Sequence, residues 1–283
     1  MSVFLSLREA IATHVHDGQT LALEGFTHLI PMAAGQEIAR QRFRDLTVVR
    51  MTPDLIYDQL IGVGCVRKLV FSWGGNPGVG SLHRLRDAVE NGWPRALELE
   101  EYSHAALAAA YAAGASGLPF GVLRAFQGTD LPAHNSQIRS VTCPYTGEIL
   151  ATVPAIRPDV AIIHAQQADR QGNVRLRGII GVQKEAVLAA RVAIVTVEEI
   201  VDSVTDEMNA VVLPSWVIAA VCHVPRGAYP SYAHGFYDRD NAFYKSWDGI
   251  AREREGFTSW MQQYVDQTAD WREFLERLEG TAA

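Results

Sequence analysis

The residues Ser72-Trp73-Gly74-Gly75-Asn76-Pro77-Gly78-Val79-Gly80-Ser81 carry the strongest chemical signal in this sequence. Four glycines set among two serines and one asparagine offer successive main-chain amides, two hydroxyls and a carboxamide. Such donors hold a carboxylate or phosphate without needing positive charge. The spacing is not the dinucleotide fingerprint G-x-G-x-x-G, and the segment lacks the lysine that follows glycine in a P-loop. An anion-binding loop is the functional reading, with a glycine-rich structural turn as the alternative. A second candidate is Glu24-Gly25-Phe26-Thr27-His28. A glycine between a strand and a helix lets main chain approach a carbonyl or carboxylate, and the N–H groups that follow can stabilise negative charge. An ordinary strand-to-helix turn is the competing reading.

A third segment, Asp159 to Val174, runs as a buried strand into a polar turn, so His164, Gln166 and Gln167 could stand at a strand's carboxyl end. His164 has no nearby Asp-x-His or Ser partner pattern, so a structural histidine is the simpler expectation. Asp169 and Asn173 suit closing the turn through side chain to backbone bonds. Glu24, Glu100, Glu101, Glu198 and Glu199 sit beside apolar runs, where a carboxyl could act as nucleophile or proton carrier. Glu198-Glu199 and Glu100-Glu101 also fit helix starts favoured by the macrodipole. No H-E-x-x-H, C-x-x-C or G-x-S-x-G pattern occurs, which argues against zinc hydrolase and α/β-hydrolase chemistry. The aromatic stretch around Tyr232 to Tyr244, with His223 and His234, suggests a substrate wall or a surface for another chain.

The elements that must position these residues are legible in the patterning. Short β-branched runs at 20–23, 46–51, 69–71, 160–163, 192–197 and 210–213 alternate with helical spacing at 7–14, 33–42, 55–61, 82–90, 104–113 and 184–190. This alternation predicts an α/β fold with a mostly parallel sheet flanked by helices, and ligands at the carboxyl ends of its strands. No linker or internal repeat divides the chain, so residues 1–283 are expected to form a single domain. A less regular covering segment spans about 118–158, punctuated by Pro119, Pro132, Pro144, Pro154 and Pro158. Aromatics from Trp247 onward fall on helical faces as packing residues.

Composition narrows the class of function. With 25 Lys+Arg against 32 Asp+Glu, the net charge of −7 removes the broad electrostatic reason for a nucleic-acid or anionic-membrane partner. The most apolar stretch, 105–115, is too short to span a bilayer. The amino-terminal residues lack the pattern of a secretory signal, so a cytoplasmic protein is expected. Three cysteines, Cys65, Cys143 and Cys222, are odd in number and far apart, and are expected as free thiols.

Taken together the segments resemble the A-type subunits of class I, two-subunit CoA-transferases, in the branch that includes glutaconate CoA-transferase and the 3-oxoadipate enzymes. The resemblance is carried by EGFTHLIP (24–31), LTVVRMTPD (46–54), LIGVGCVRKLVFSWGGNPGVGSLHR (60–84), LEEYSHAALAAAYAAGASGLPF (99–120), RPDVAIIHAQQADRQGN (157–173), VTVEEIVD (195–202) and SYAHGFYDRDN (231–241). It implies the class I CoA-transferase fold, shared more widely with pentose-phosphate isomerases, and transfer of CoA from succinyl-CoA to an acid such as 3-oxoadipate. It further implies a partner, the B-type CoA-transferase subunit, whose glutamate is the nucleophile, so no nucleophile is expected in this chain. There would be no resident cofactor or metal, the CoA thioester being substrate, and the assembly would contain two A-type and two B-type chains. By the same resemblance Gly25, Phe26 and Thr27 fall at the acyl site. Ser72, Gly74, Gly75, Asn76, Gly78, Gly80 and Ser81 fall near the acceptor carboxylate. Many relatives have Gly-Gly-Phe where this chain has Glu24-Gly25-Phe26, which leaves a role for Glu24 open. Glu100 lies where related CoA-ester, ring-opening hydrolases use a glutamate, so a hydrolase is the alternative, as is another short dicarboxylate acceptor.

Overall fold

A computed structural model describes residues 3–204 and 207–281 of the chain. In chain order its strands are β1 (Val3–Phe4), β2 (Thr20–Glu24), β3 (Leu46–Arg50), β4 (Val66–Phe71), β5 (Glu98–Glu101), β6 (Phe120–Leu123), β7 (Arg139–Thr142), β8 (Ile149–Pro154), β9 (Val160–Asp169), β10 (Val174–Arg177), β11 (Val192–Val201), β12 (Ala210–Leu213) and β13 (Ala220–His223). The helices are α1 (Leu7–His14), α2 (Met32–Arg40), α3 (Leu55–Gly62), α4 (His83–Asn91), α5 (His104–Ala115), α6 (Leu131–His134), α7 (Gln183–Ala189), α8 (Asn241–Arg252), α9 (Arg254–Met261) and α10 (Trp271–Thr281).

The main sheet runs β1-β13-β11-β9-β2-β3-β4-β5, every neighbouring pair parallel. Its central strands are apolar on both faces because both faces are covered. Leu21, Leu23, Val48 and Leu69 point into a core shared with α2, α3 and the carboxyl-terminal helices. Ala22, Val49, Val70 and Ala161 point into a second core beneath α5 and α7. The aromatics of α8 to α10 pack as their helical spacing predicts, with Trp247 and Trp260 edge to face at 5.0 Å between ring centroids.

From β2 the chain winds outward through β3, β4 and β5, whereas from β9 it winds the other way to β11. β2 and β9 are direct neighbours, paired as far as Glu24 opposite Ile163. The winding direction therefore reverses between them, and open α/β sheets bind ligands beyond the carboxyl ends of strands at such a point. The turn after Glu24 stands there.

Three sequence expectations change. Glu198-Glu199 do not start a helix, because β11 continues to Val201 with Glu198 buried and Glu199 exposed on alternate faces. Ala210–Leu213 is a strand, but it pairs antiparallel with β10 in an extension beside β9. The irregular segment resolves into a separate antiparallel sheet, β6-β8-β7, whose inner side packs on α5; there a Cβ on Gly121 would lie 2.7 Å from the Ala109 carbonyl oxygen.

Candidate functional site

The β2–β3 ladder ends at Ala22 opposite Val49, and beyond that pair side chains replace the missing ladder bonds. Tyr57 donates its hydroxyl to the carbonyl oxygens of Leu23 at 3.0 Å and Val49 at 3.1 Å. Arg50, fully buried, donates to the Gly25 carbonyl at 2.8 Å and faces Asp54 at 3.4 Å. On the opposite face of the sheet, Glu24 Oε1 accepts from the Met51 amide at 3.2 Å and from the Tyr111 hydroxyl of α5 at 2.9 Å. Burial raises the Glu24 carboxyl to about 7, against the opposing pull of Arg50 and these hydrogen bonds. The split between β2 and β3 is thus filled by a polar wedge that holds the next turn from below.

That turn is tightly specified. A Cβ on Gly25 would stand 2.5 Å from the Leu29 carbonyl oxygen, so only glycine fits. Thr27 and Leu29 adopt left-handed φ of 64° and 53°, which costs energy for side chains of these types. The conformation is clamped from above: Ser231 donates its hydroxyl to the Thr27 carbonyl at 3.0 Å, and the Leu29 amide donates to the Tyr232 carbonyl at 3.0 Å. Phe26 is half-buried and Thr27 exposed, and among the described residues neither amide donates to an acceptor of this chain. Gly25, Phe26 and Thr27 therefore form a strained turn at the switch point, where the Phe26 and Thr27 amides could donate to an oxyanion. His28 is fully buried with both ring nitrogens unpartnered, its ring 4.9 Å from that of Tyr232. Burial, with His234 and His164 nearby, pushes its pKa down to about 4, so it is neutral near pH 7.

The glycine-rich loop follows β4, two strand spacings from β2, or about 10 Å. Several of its expected donors are already engaged inside the chain. Ser72 donates its hydroxyl to the Met51 carbonyl at 2.7 Å. Asn76, 1% exposed, donates to the Tyr244 carbonyl at 2.7 Å and accepts from the Gly78 amide at 2.8 Å. The amides of Gly75 and Gly80 donate to the carbonyls of Pro53 and Asn76. In this arrangement Ser72 and Asn76 hold the loop, and the donors not spent on it include the Gly74, Asn76 and Val79 amides and the amide and hydroxyl of Ser81. Gly78 is needed for close approach, since a Cβ there would meet the Tyr244 Cβ at 2.9 Å. The loop leads into α4, whose start has no side-chain cap of its own. Asp58, from α3, accepts from the Arg84 and Leu85 amides and from Trp247 Nε1 at 2.8, 2.9 and 3.0 Å, anchoring that start.

Glu100 stands on β5 at the far edge of the sheet, three strand spacings, about 14 Å, from β2. Its carboxylate pairs with Lys68 at 2.6 Å and accepts from the Tyr102 hydroxyl at 2.6 Å. The structure does not bring it to the switch point. His164 is a satisfied buried side chain, bonded to Thr196 at 2.8 Å and to Glu198 at 2.6 Å. Burial alone would raise Glu198, but His164, Tyr237 and the Arg226 amide more than offset it and hold its carboxyl below the ordinary value. This knot ties the 224–237 segment to the sheet above the turn. Asp169 accepts from the Gln171 and Asn173 amides, closing its turn as its sequence context predicts. Of the cysteines, Cys65 and Cys222 are buried, which pushes both thiols up to about 12, and Cys143 is partly exposed. Sequence reading missed Arg50, Tyr57, Asp58 and Tyr111; the available signal was charge and hydroxyl at apolar positions, as in RMTPDLIYD. Among the described residues no cluster of histidine, cysteine and carboxylate could hold a metal ion, and no helix is long and apolar enough to cross a membrane.

The same chain has clear relatives. It is 65% identical over 278 residues to the A-type subunit of 3-oxoadipate CoA-transferase from Pseudomonas knackmussii, covering 98% of this chain and 99% of that one. It is 34% identical to the A-type subunit of glutaconate CoA-transferase from Acidaminococcus fermentans, covering 99% and 93% of the two chains. The crystal structure of glutaconate coenzyme A-transferase from that organism superimposes with a TM-score of 0.90 at 34% identity, over 99% of this chain and 94% of the other. A cholesterol ring-cleaving hydrolase subunit of Mycobacterium tuberculosis is 28% identical, over 94% of each chain. The coenzyme A transferase family model matches residues 4–223. A parallel sheet with a strained glycine turn at its switch point, a family match over most of its length and a near-complete superposition lead to one conclusion: the chain belongs to the coenzyme A transferase family.

Proposed function

We propose that this chain is the A-type subunit of a two-subunit CoA-transferase that moves CoA from succinyl-CoA to 3-oxoadipate, in the bacterial breakdown of aromatic compounds. The 65% identity with the corresponding chain of a 3-oxoadipate CoA-transferase, over nearly the full length of both, is the observation that carries this reading. The chain works as one unit, in the cytoplasm, with the β6-β8-β7 sheet as a covering lobe. It takes CoA thioesters as substrate, needs no resident cofactor, and acts only with its partner subunit, in an assembly of two A-type and two B-type chains. In the partner, a glutamate attacks the thioester carbonyl. CoA thiolate leaves as the acyl-glutamyl anhydride forms, then attacks the glutamyl carbonyl to give the glutamyl thioester and release succinate. The acceptor carboxylate displaces the thiolate again, and its attack on the acceptor's acyl carbonyl gives 3-oxoadipyl-CoA and frees the glutamate.

This chain's part is to bind and to stabilise. The Phe26 and Thr27 amides face the developing oxyanion, where preorganised N–H groups act without reorganising during reaction. Gly25 permits the turn and the Arg50–Tyr57 wedge fixes it. The Gly74 and Ser81 donors take the far carboxylate of the diacid, in a loop kept in shape by Ser72, Gly75, Asn76, Gly78 and Gly80. The hydrolase alternative is weakened by Glu100, which is paired with Lys68 at the sheet edge.

The test is an assay of the chain alone and co-purified with its partner subunit, supplied with succinyl-CoA and 3-oxoadipate, following both CoA esters and free CoA. Formation of 3-oxoadipyl-CoA only with both subunits is expected. Free CoA without 3-oxoadipyl-CoA would establish the hydrolase instead.

A further inference from the structure

The turn and the glycine-rich loop are joined through the main chain of one residue. Met51, just past the end of β3 and buried, donates its amide to Glu24 Oε1, immediately before the Gly25 turn. Its carbonyl oxygen accepts from the Ser72 hydroxyl at 2.7 Å and from the Ser72 and Trp73 amides at 3.3 Å each, at the start of the glycine-rich loop. Glu24 therefore grips β3 on one side, Ser72 grips it on the other, and Tyr111 fixes the Glu24 carboxyl from α5. Past Ala22 and Val49 no ladder bond joins β2 to β3, so side chains set the separation of these strand ends.

We propose that Glu24 is a positioning residue which, through the main chain of Met51, fixes the spacing between the Gly25–Thr27 turn and the Ser72–Ser81 loop and thereby sets the length of diacid accepted. The proposal rests on the acceptor reading above. A group that only packed β2 against α5 would need no polar atom: a buried carboxyl without partners is an expensive filler. Here a single oxygen receives donors from two different elements, as registering strand ends requires. The spacing bridged, about 10 Å, is on the scale of a short diacid held at both ends.

The experiment uses the complex of both subunits and compares kcat/KM for 3-oxoadipate with that for 3-oxoglutarate and 3-oxopimelate, one methylene shorter and longer. In Glu24→Ala the preference for 3-oxoadipate over these neighbours is expected to fall about tenfold or more, because small misplacement of a bound group is costly. Glu24→Gln keeps an acceptor oxygen for both donors and is expected to retain the preference within about threefold. A packing role would lower activity on all three acids alike and leave the ratio unmoved. An unchanged ratio in Glu24→Ala, or a Gln variant as impaired as Ala, overturns the proposal. Should Glu24→Ala fail to assemble, Tyr111→Phe and Ser72→Ala each release one end of the link. Each is expected to lower the preference by about threefold to tenfold, and an unmoved ratio in both overturns the proposal. A wild-type complex that transfers CoA to none of these acids refutes the acceptor reading itself. One that transfers, with ratios insensitive to these variants, refutes only the role of Glu24.

Discussion

Asn76 offers a sharp test of how the glycine-rich loop is held. Its carboxamide donates to the Tyr244 carbonyl at 2.7 Å and accepts from the Gly78 amide at 2.8 Å, in a site only 1% exposed. Asn76→Ala leaves both partners unmatched, at a cost of about 2 kcal/mol that does not depend on pH. Asn76→Asp keeps the acceptor for Gly78 but sets a carboxylate oxygen against the Tyr244 carbonyl oxygen. Protonation repairs this, since the acid O–H can donate as the amide did. Burial and that missing bond therefore raise the folded-state pKa above the unfolded value of about 3.9, by roughly 2 to 3 units. A group whose folded pKa is raised contributes stability that is fully present below the unfolded pKa and lost as pH rises through the folded one. Relative to wild type, Asn76→Asp then loses about 1.5 kcal/mol at pH 5 and about 3 to 4 kcal/mol at pH 8. At roughly 3 °C per kcal/mol this is a melting-point deficit of about 4 °C growing to about 10 °C, while that of Asn76→Ala stays near 6 °C. The two variants should exchange rank between pH 5 and pH 8 in thermal melts of the purified complex. Both should raise the KM for the acceptor. A deficit of Asn76→Asp independent of pH, or smaller than that of Asn76→Ala at pH 8, would refute the assignment of donor and acceptor at this side chain.

Other outcomes follow from the same contacts. Glu24, raised to about 7 by burial, contributes stability that is present below its unfolded value and lost as pH rises toward 7. Wild type should therefore lose about 3 kcal/mol relative to Glu24→Gln between pH 4.5 and 7, and parallel melting curves for the two would contradict this. A methyl at residue 178 would lie 2.6 Å from His28 Nε2 at a φ of 91°, so Gly178→Ala should lower the melting point by several degrees and reduce turnover. In contrast Gly249, within α8, has open space around its Cβ position, and Gly249→Ala should stabilise by about 0.5 to 1 kcal/mol in the same melts. Glu100→Gln removes a partly exposed pair with Lys68, worth about 1 kcal/mol or less. Transfer should stay within about threefold of wild type, whereas a hundredfold loss would return Glu100 to the chemistry.

The alternation of apolar strands with helical spacing determined the α/β class, and the observed α1, α3 and β12 share or nearly share the bounds read from sequence. These are local properties, since hydrophobic period and turn chemistry act over a few residues. The three glycine-bearing segments were likewise legible as polar turns that follow strands. Which atoms there are available was not. Asn76 finds its acceptor 168 residues away and Glu24 its hydroxyl donor 87 residues away, so their hydrogen bonds are settled only when distant elements pack. Glu198 shows the same limit: two adjacent glutamates read as a helix start, yet the chain stays extended because β9 pairs with it as far as Val201. The sequence by itself determined where most of the strands begin and that helices alternate with them, but not how far they run: β9 continues six residues past the expected end, to Asp169, and β11 four, to Val201. The tertiary structure decided which of the glycine-bearing segments stand at the switch point, and which polar groups are consumed in holding the chain, because burial and long-range pairing assign each donor to its acceptor.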